Sequence, residues 1–165
     1  MNETLTIVVA VGSALLALIS AVFSCFTYFR NVRHDRRRDT LDAYNTLQKE
    51  AFDKLNQIRP TEIREIAKSP TSKEYKEISG YIARIEHFCV GVNLGIYDRD
   101  TVYALANGYL DSNTIRSRIE PIIAMKHRSA DKEYYENIQK LLSWMEKKNE
   151  KKHRKLLDNE QRKER

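Results

Sequence analysis

The chain has 165 residues, with 29 Lys and Arg against 23 Asp and Glu and a formal net charge of +6 at pH 7. Much of the basic surplus adjoins an uncharged N-terminal segment, so it indicates membrane topology and anionic lipid, and nucleic acid is not the default partner. Two cysteines exclude a disulfide framework, and only five glycines and three prolines interrupt long apolar periodicities. These features favour an all-α chain with one N-terminal transmembrane helix followed by a cytosolic multi-helix bundle of about five helices.

Residues 5–29 carry no charge. At 1.5 Å per residue, about 25 residues make a helix of roughly 37 Å, which is enough to cross a bilayer with some tilt. The aromatic end of the segment, Phe26 to Phe29, offers no small-residue cleavage site, so we expect the segment to remain as an anchor. The five arginines that follow form a basic juxtamembrane collar at residues 30–39: Arg30, Arg33, Arg36, Arg37 and Arg38. By the positive-inside rule, residues 1–4 are extracytoplasmic and the C-terminal side is cytoplasmic.

Small side chains recur along the predicted transmembrane helix in alternating steps of four and three residues. They form a heptad seam of Thr6, Ala10, Ser13, Ala17, Ser20, Ser24 and Thr27. Such a seam lets helices approach closely in a left-handed bundle, and a ring of copies would place hydroxyl groups around a narrow lumen. Small residues are also common in ordinary spans, and a serine can bond to its own helix carbonyl, so a simple anchor remains open.

The cytosolic domain is predicted at residues 40–145. The absence of Gly and Pro from residue 30 to residue 59 predicts that the first helix continues to Arg59. Its apolar face would contain Leu41, Tyr44, Ala51, Leu55 and Ile58. A short helical turn at residues 62–67 precedes a long helix over residues 73–94, with Gly95 as its C-cap.

Asp98 is predicted to cap the next helix, which runs from Arg99 to Leu110. Another helix contains Ile115, Ile119, Ile122 and Ile123 and is expected to bend near Pro121. The last helix opens around Ala130 and Asp131 and carries an apolar face of Tyr134, Ile138, Leu141, Leu142 and Met145. Residues 146–165 alternate in charge and are predicted to be a solvated C-terminal helix or a frayed tail.

No stretch of the sequence carries an enzyme motif, so we predict no catalytic residue, no metal site and no cofactor. Basic side chains on three successive predicted helices, close to tyrosines, suggest a cationic groove for a phosphorylated or single-stranded ligand. The candidate ligand-binding residues are Arg84, His87, Arg99, Arg116, Arg118 and Lys126. The alternative is that charged residues at this density coat a helical domain without binding anything.

Residues 85–105 read IEHFCVGVNLGIYDRDTVYAL. Together with the later Ile119-Glu120-Pro121-Ile122 and Trp144, they resemble a domain of unknown function in small bacterial membrane proteins. In those proteins one transmembrane helix precedes a helical cytosolic domain, and the likeness covers most of residues 40–145. Their build is similar to that of the membrane effector of the Hailong-type nucleotide-signalling antiphage system, in which short single-stranded DNA oligomers hold the effector inactive. The resemblance implies a homo-oligomeric channel in the bacterial inner membrane, with a tetramer as the expected assembly, but it assigns no ligand residues.

Two hypotheses from different classes follow. The first is a homo-oligomeric membrane effector, an ion channel or pore for antiphage defence, gated by an oligonucleotide bound to its cytosolic domain. The second is a membrane-tethered helical adaptor that docks a protein partner and has no pore. Both expect membrane lipid around residues 5–29 and anionic lipid at the collar.

Overall fold

Every regular element in the part of the chain that the computed structural model describes is a helix. The structure describes residues 2–106, 112–129 and 135–163, with side chains at 11–106, 115–125 and 135–161. The elements are α1 (Asn2–Leu47), a π-helix (Gln48–Phe52), α2 (Asp53–Gln57), α3 (Pro60–Ala67), α4 (Lys73–Asn93), α5 (Arg99–Ala106), α6 (Ser112–Ser129) and α7 (Glu136–Lys163). The chain divides into two compact units, Met1–Arg38 and Asp39–Arg165.

The first unit is the N-terminal part of α1. Its apolar segment is long and apolar enough to cross a membrane, and none of it is buried within the described chain. Large side chains such as Leu16, Phe23 and Phe29 are therefore exposed. A contiguous apolar surface of this size calls for a covering of lipid or protein.

The second unit, which we call the helical domain, is built around α4. This helix packs against α7, the π-helix, α2, α3 and α5, while α3 also packs against α6. The apolar positions of α4 recur at three and four residues because that spacing places them on one helical face. Tyr75, Ile78, Ile82, Ile85, Cys89 and Val92 are all buried, which confirms the predicted core face.

Local capping signals set the ends of α4 and the start of α5. The Ser72 hydroxyl accepts a hydrogen bond from the Tyr75 amide at 3.0 Å and starts α4. Gly95 adopts a φ of 75° two residues after the end of α4, which is the left-handed conformation in which many helices terminate. The Asp98 carboxylate accepts from the Thr101 amide at 2.8 Å, so its predicted role as the cap of α5 is confirmed.

The π-helix was not anticipated from the sequence. The Asp53 amide donates to the carbonyl of Gln48, five residues earlier, so one extra residue is accommodated in the turn. Ala51 and Phe52 in the π-helix and Leu55 in α2 are buried. The helical stretch then ends at Gln57, and not at Arg59, because Ile58 and Arg59 are extended ahead of Pro60, which disfavours helical backbone before it.

One residue that was predicted to be buried is exposed, and its neighbour is buried. Leu41 is 40% exposed, so its predicted place on the buried face is wrong, and the neighbouring Thr40 is the buried residue there. The Thr40 hydroxyl accepts a hydrogen bond from the Asp98 amide at 2.7 Å, which gives a buried polar group its partner. α7 continues through the charged extension to Lys163, and its side chains are exposed over residues 149–161. The predicted helix end at Leu110, the opening at Ala130 and Asp131, and Tyr134 lie outside the described residues.

Candidate functional site

The exposed part of α1 has one face of small side chains and one of large side chains. Ser13, Ala17, Ser20, Ser24 and Thr27 are exposed, and the side chains of Thr6 and Ala10 lie outside the described set. At about 100° per residue, the opposite side of the helix carries large apolar residues. They are Val11, Leu15, Leu18 and Val22, all more than half exposed. The two faces therefore offer very different packing surfaces.

Arg84 and His87 share an open groove of about 400 Å³ between the end of α1 and α4. The Arg84 guanidinium donates to the Glu50 carbonyl at 3.3 Å and lies 3.7 Å from the Glu50 carboxylate. Asp42 also lines the groove, while the His87 side chain is exposed. An incoming anion would thus compete with Glu50 for Arg84, which lowers the affinity that the positive charge alone would give.

Arg99 packs against the single tryptophan of the chain. Its guanidinium carbon lies 4.5 Å from the centre of the Trp144 ring, and its Nη2 donates to the Asn93 side chain at 3.3 Å. The Lys148 ammonium lies 4.9 Å from the same ring and forms an ion pair with Asp100. Two cations already lie against the Trp144 ring, so the ring is poorly placed to stack on a nucleobase. The cluster instead connects α5 to α7.

Arg116 faces another region of the helical domain. Its Nη2 lies 2.8 Å from the Glu146 carboxylate, and it borders a groove of about 230 Å³ between α6 and α7. Trp144 and Glu146 are two positions apart on α7 and point to opposite sides of that helix, so Arg99 and Arg116 do not converge. Arg118 is half-buried on α6, and the Lys126 side chain lies outside the described set.

The candidate ligand-binding residues whose side chains are described are thus distributed over separate surfaces. Among the described side chains, Arg84 and His87 line one groove together. A single cationic groove containing all of them is not formed by the described part of the chain. Ligand binding by these residues stays a prediction.

A larger groove within the described part of the helical domain was not predicted from the sequence. It measures about 510 Å³ and is lined by Lys49, Asp53, Lys54, Gln57, Ile58, Glu62, Ile66, Glu74, Glu77, Ile78 and Tyr81. Four carboxylates face two lysines, so its charge disfavours a polyanion. The hydrogen bond that Tyr81 donates to the Glu77 carboxylate raises the pKa of the Tyr81 phenol. The four-residue spacing of Glu77 and Tyr81 on α4 was the only local signal for this groove.

Glu86 has a structural role that its neighbour His87 does not share. Its carboxylate accepts from the Asn137 and Ile138 amides at 3.0 and 2.9 Å and from the Asn137 side chain at 2.8 Å. The two backbone amides belong to the first turn of α7, where N–H groups have no acceptor within their own helix. A carboxylate at this position also interacts favourably with the positive end of the helix dipole.

We expect Glu86→Ala to lower the free energy of unfolding of the helical domain by about 2 kcal/mol, because it leaves three part-buried donors without their acceptor. Urea unfolding of the full-length chain in detergent, followed by Trp144 emission, measures the change. Glu160→Ala, at an exposed position near the other end of α7, is the matched control and should stay within about 0.5 kcal/mol of the unchanged chain. Equal losses in the two variants would contradict the capping role.

The two cysteines differ in exposure. Cys25 is exposed and Cys89 is buried, with both thiols free. Burial raises the pKa of the Cys89 thiol, which disfavours the reactive thiolate. Within the described residues, no group of three or more His, Cys, Asp or Glu side chains is placed to hold a metal ion.

Comparisons with known proteins identify a family and no activity. No curated protein and no solved structure matches the chain. The model of a domain of unknown function, DUF4760, matches residues 7–144, which include the apolar part of α1 and most of the helical domain. The chain therefore belongs to the DUF4760 family.

Proposed function

We propose that the chain is a single-pass protein of the bacterial inner membrane, with its N-terminus outside and its helical domain in the cytoplasm, that assembles into a homo-oligomer. The observation that carries the proposal is the uncovered α1 segment, with its small-residue face and its large apolar face. Lipid tails cover large apolar side chains well, whereas a face of small residues favours close approach of another helix. The arginine collar after Phe29 supports the orientation.

The output that we propose for this assembly is ion conduction in antiphage defence. In a ring of copies, Ser13, Ser20 and Thr27 would line a narrow lumen at intervals of about 10 Å, from seven residues of helical rise. The resemblance to the Hailong-type membrane effector supports a tetramer and a short single-stranded DNA oligomer as the gating ligand. The groove of Arg84 and His87 is the ligand site that we favour, because two of the candidate residues with described side chains meet there.

A second candidate function is a membrane-tethered helical adaptor. Leu94 and Ile96 flank Gly95 at the surface of the helical domain, and their exposed fractions are 71% and 61%. These two large apolar side chains favour the adaptor. Such a pair is suited to docking a protein partner. In this case the α1 segment would serve for location alone.

The oligomeric state separates the two candidates. We expect native mass spectrometry of the detergent-purified full-length chain to show a defined tetramer or larger ring, and the part from Thr40 onward to be monomeric. A co-purifying oligonucleotide mass would identify the ligand directly. A monomer in both samples would overturn the channel and leave the tethered adaptor.

A further inference from the structure

A groove of about 390 Å³ lies on α1 where the apolar segment gives way to the arginine collar. Its lining residues are Phe26, Phe29, Arg30, Arg33, His34 and Arg37. Starting from Phe26, these positions fall at i, i+3, i+4, i+7, i+8 and i+11, so they share one side of the helix. Arg36 and Arg38 belong to the collar but do not line the groove.

The groove and the small-residue seam point in different directions. At about 100° per residue, Phe26, Phe29, Arg30, Arg33 and Arg37 all lie about 110° or more around the helix from the mean direction of the seam. His34 lies at the border of the groove on the side nearer the seam. If the seam faces neighbouring copies, the groove faces the surrounding lipid.

The groove also changes character along the helix axis. Phe26 and Phe29 provide aromatic rings at its apolar end, and Arg30 and Arg33 follow within about 6 Å of helical rise from Phe29. Arginine binds phosphate through paired N–H donors, and its aliphatic stem can rest on apolar surface. The lining residues are three arginines, one histidine and two phenylalanines, and Asp35, whose carboxylate lies 3.8 Å from His34 Nδ1, is not among them.

We propose that this groove binds the headgroup phosphate of an anionic phospholipid, with the acyl chains against Phe26 and Phe29. Charge complementarity selects the anionic headgroup, and the aromatic end selects a lipid over a free phosphate. The proposal rests on the membrane placement proposed above and adds a defined lipid site to it. One lipid per chain would then sit on the outer surface of the assembly, away from the seam.

Native mass spectrometry of the full-length chain in detergent, titrated with phosphatidylglycerol or phosphatidylcholine, tests the site. We expect Arg30→Gln with Arg33→Gln to weaken phosphatidylglycerol binding by about 10- to 30-fold, the scale for two cations at an anionic surface. Arg36→Gln with Arg38→Gln removes the same charge outside the groove and should leave binding within about twofold of the unchanged chain. Phosphatidylcholine should bind weakly to all three proteins.

A relocated variant distinguishes a site from diffuse attraction. Adding Asn31→Arg and Val32→Arg to Arg30→Gln with Arg33→Gln restores the arginine count, and with it the topology signal, but not the groove. Restored phosphatidylglycerol binding would overturn the proposal, as would displacement of the lipid by inorganic phosphate alone. Displacement by a single-stranded oligonucleotide at equal concentration would assign the groove to nucleic acid. Release of the unchanged chain from cell membranes by alkaline carbonate would overturn the membrane placement itself, which separates that failure from failure of the lipid site.

Discussion

Leucine in place of Ser13 and Ser20 is expected to abolish self-association of the full-length chain, and with it any conductance. Both residues belong to the small-residue seam, where close approach of two helices depends on short side chains. Leucine adds bulk at two successive heptad positions and removes the hydroxyl groups that would line a lumen. It also favours insertion, so the variant should still reach the membrane. Native mass spectrometry and single-channel recording in planar bilayers measure the two effects.

A control variant places bulk on the opposite side of the same helix. Val11→Phe with Val22→Phe changes two exposed positions about 150° or more from the seam. We expect this variant to keep its oligomeric state, because a lipid-facing side chain tolerates added volume. An unchanged oligomer and unchanged conductance in the serine double variant would count against the channel.

The parts of the fold that followed from sequence are those with local causes. The spacing of Ile78, Ile82 and Ile85 fixes the buried face of α4 because only one side of a helix recurs at three and four residues. Gly95 and Asp98 mark helix ends through their own backbone conformation and side-chain hydrogen bond. Such signals are complete within a few residues, so they can be read without knowing the tertiary structure.

The candidate site depended on contacts between distant segments, and these carry no local signal. Arg84, Arg99 and Arg116 contact Glu50, Trp144 and Glu146, which lie at least 30 positions away along the chain. Periodicity shows which side of each helix is buried and does not show which helices pack together. The grooves of the helical domain likewise lie between helices, so their lining residues could not be grouped beforehand.

The hydrogen bonds of Glu86 illustrate the same limit. In the sequence, Glu86 is one acidic residue beside His87, and adjacent positions on a helix do not face each other. Its partners Asn137 and Ile138 are about 50 residues away, and the need for a cap at the start of α7 depends on where that helix begins. Residues 130–134, which precede that helix, lie outside the described part of the chain.

The largest loss of stability is expected for Ile85→Ala. Ile85 is fully buried at the centre of α4, the helix against which most of the other described helices pack. Truncation of a buried isoleucine leaves a cavity and lowers the free energy of unfolding by about 2–5 kcal/mol. Ile96→Ala removes the same atoms at a 61% exposed position and should cost less than about 0.5 kcal/mol. Urea unfolding of each full-length variant in detergent, followed by Trp144 emission, gives the comparison.

Because a domain of this kind has only about 5–15 kcal/mol of net stability, the Ile85 variant should also unfold at a clearly lower temperature. Equal losses at the two positions would mean that α4 does not form the centre of the core.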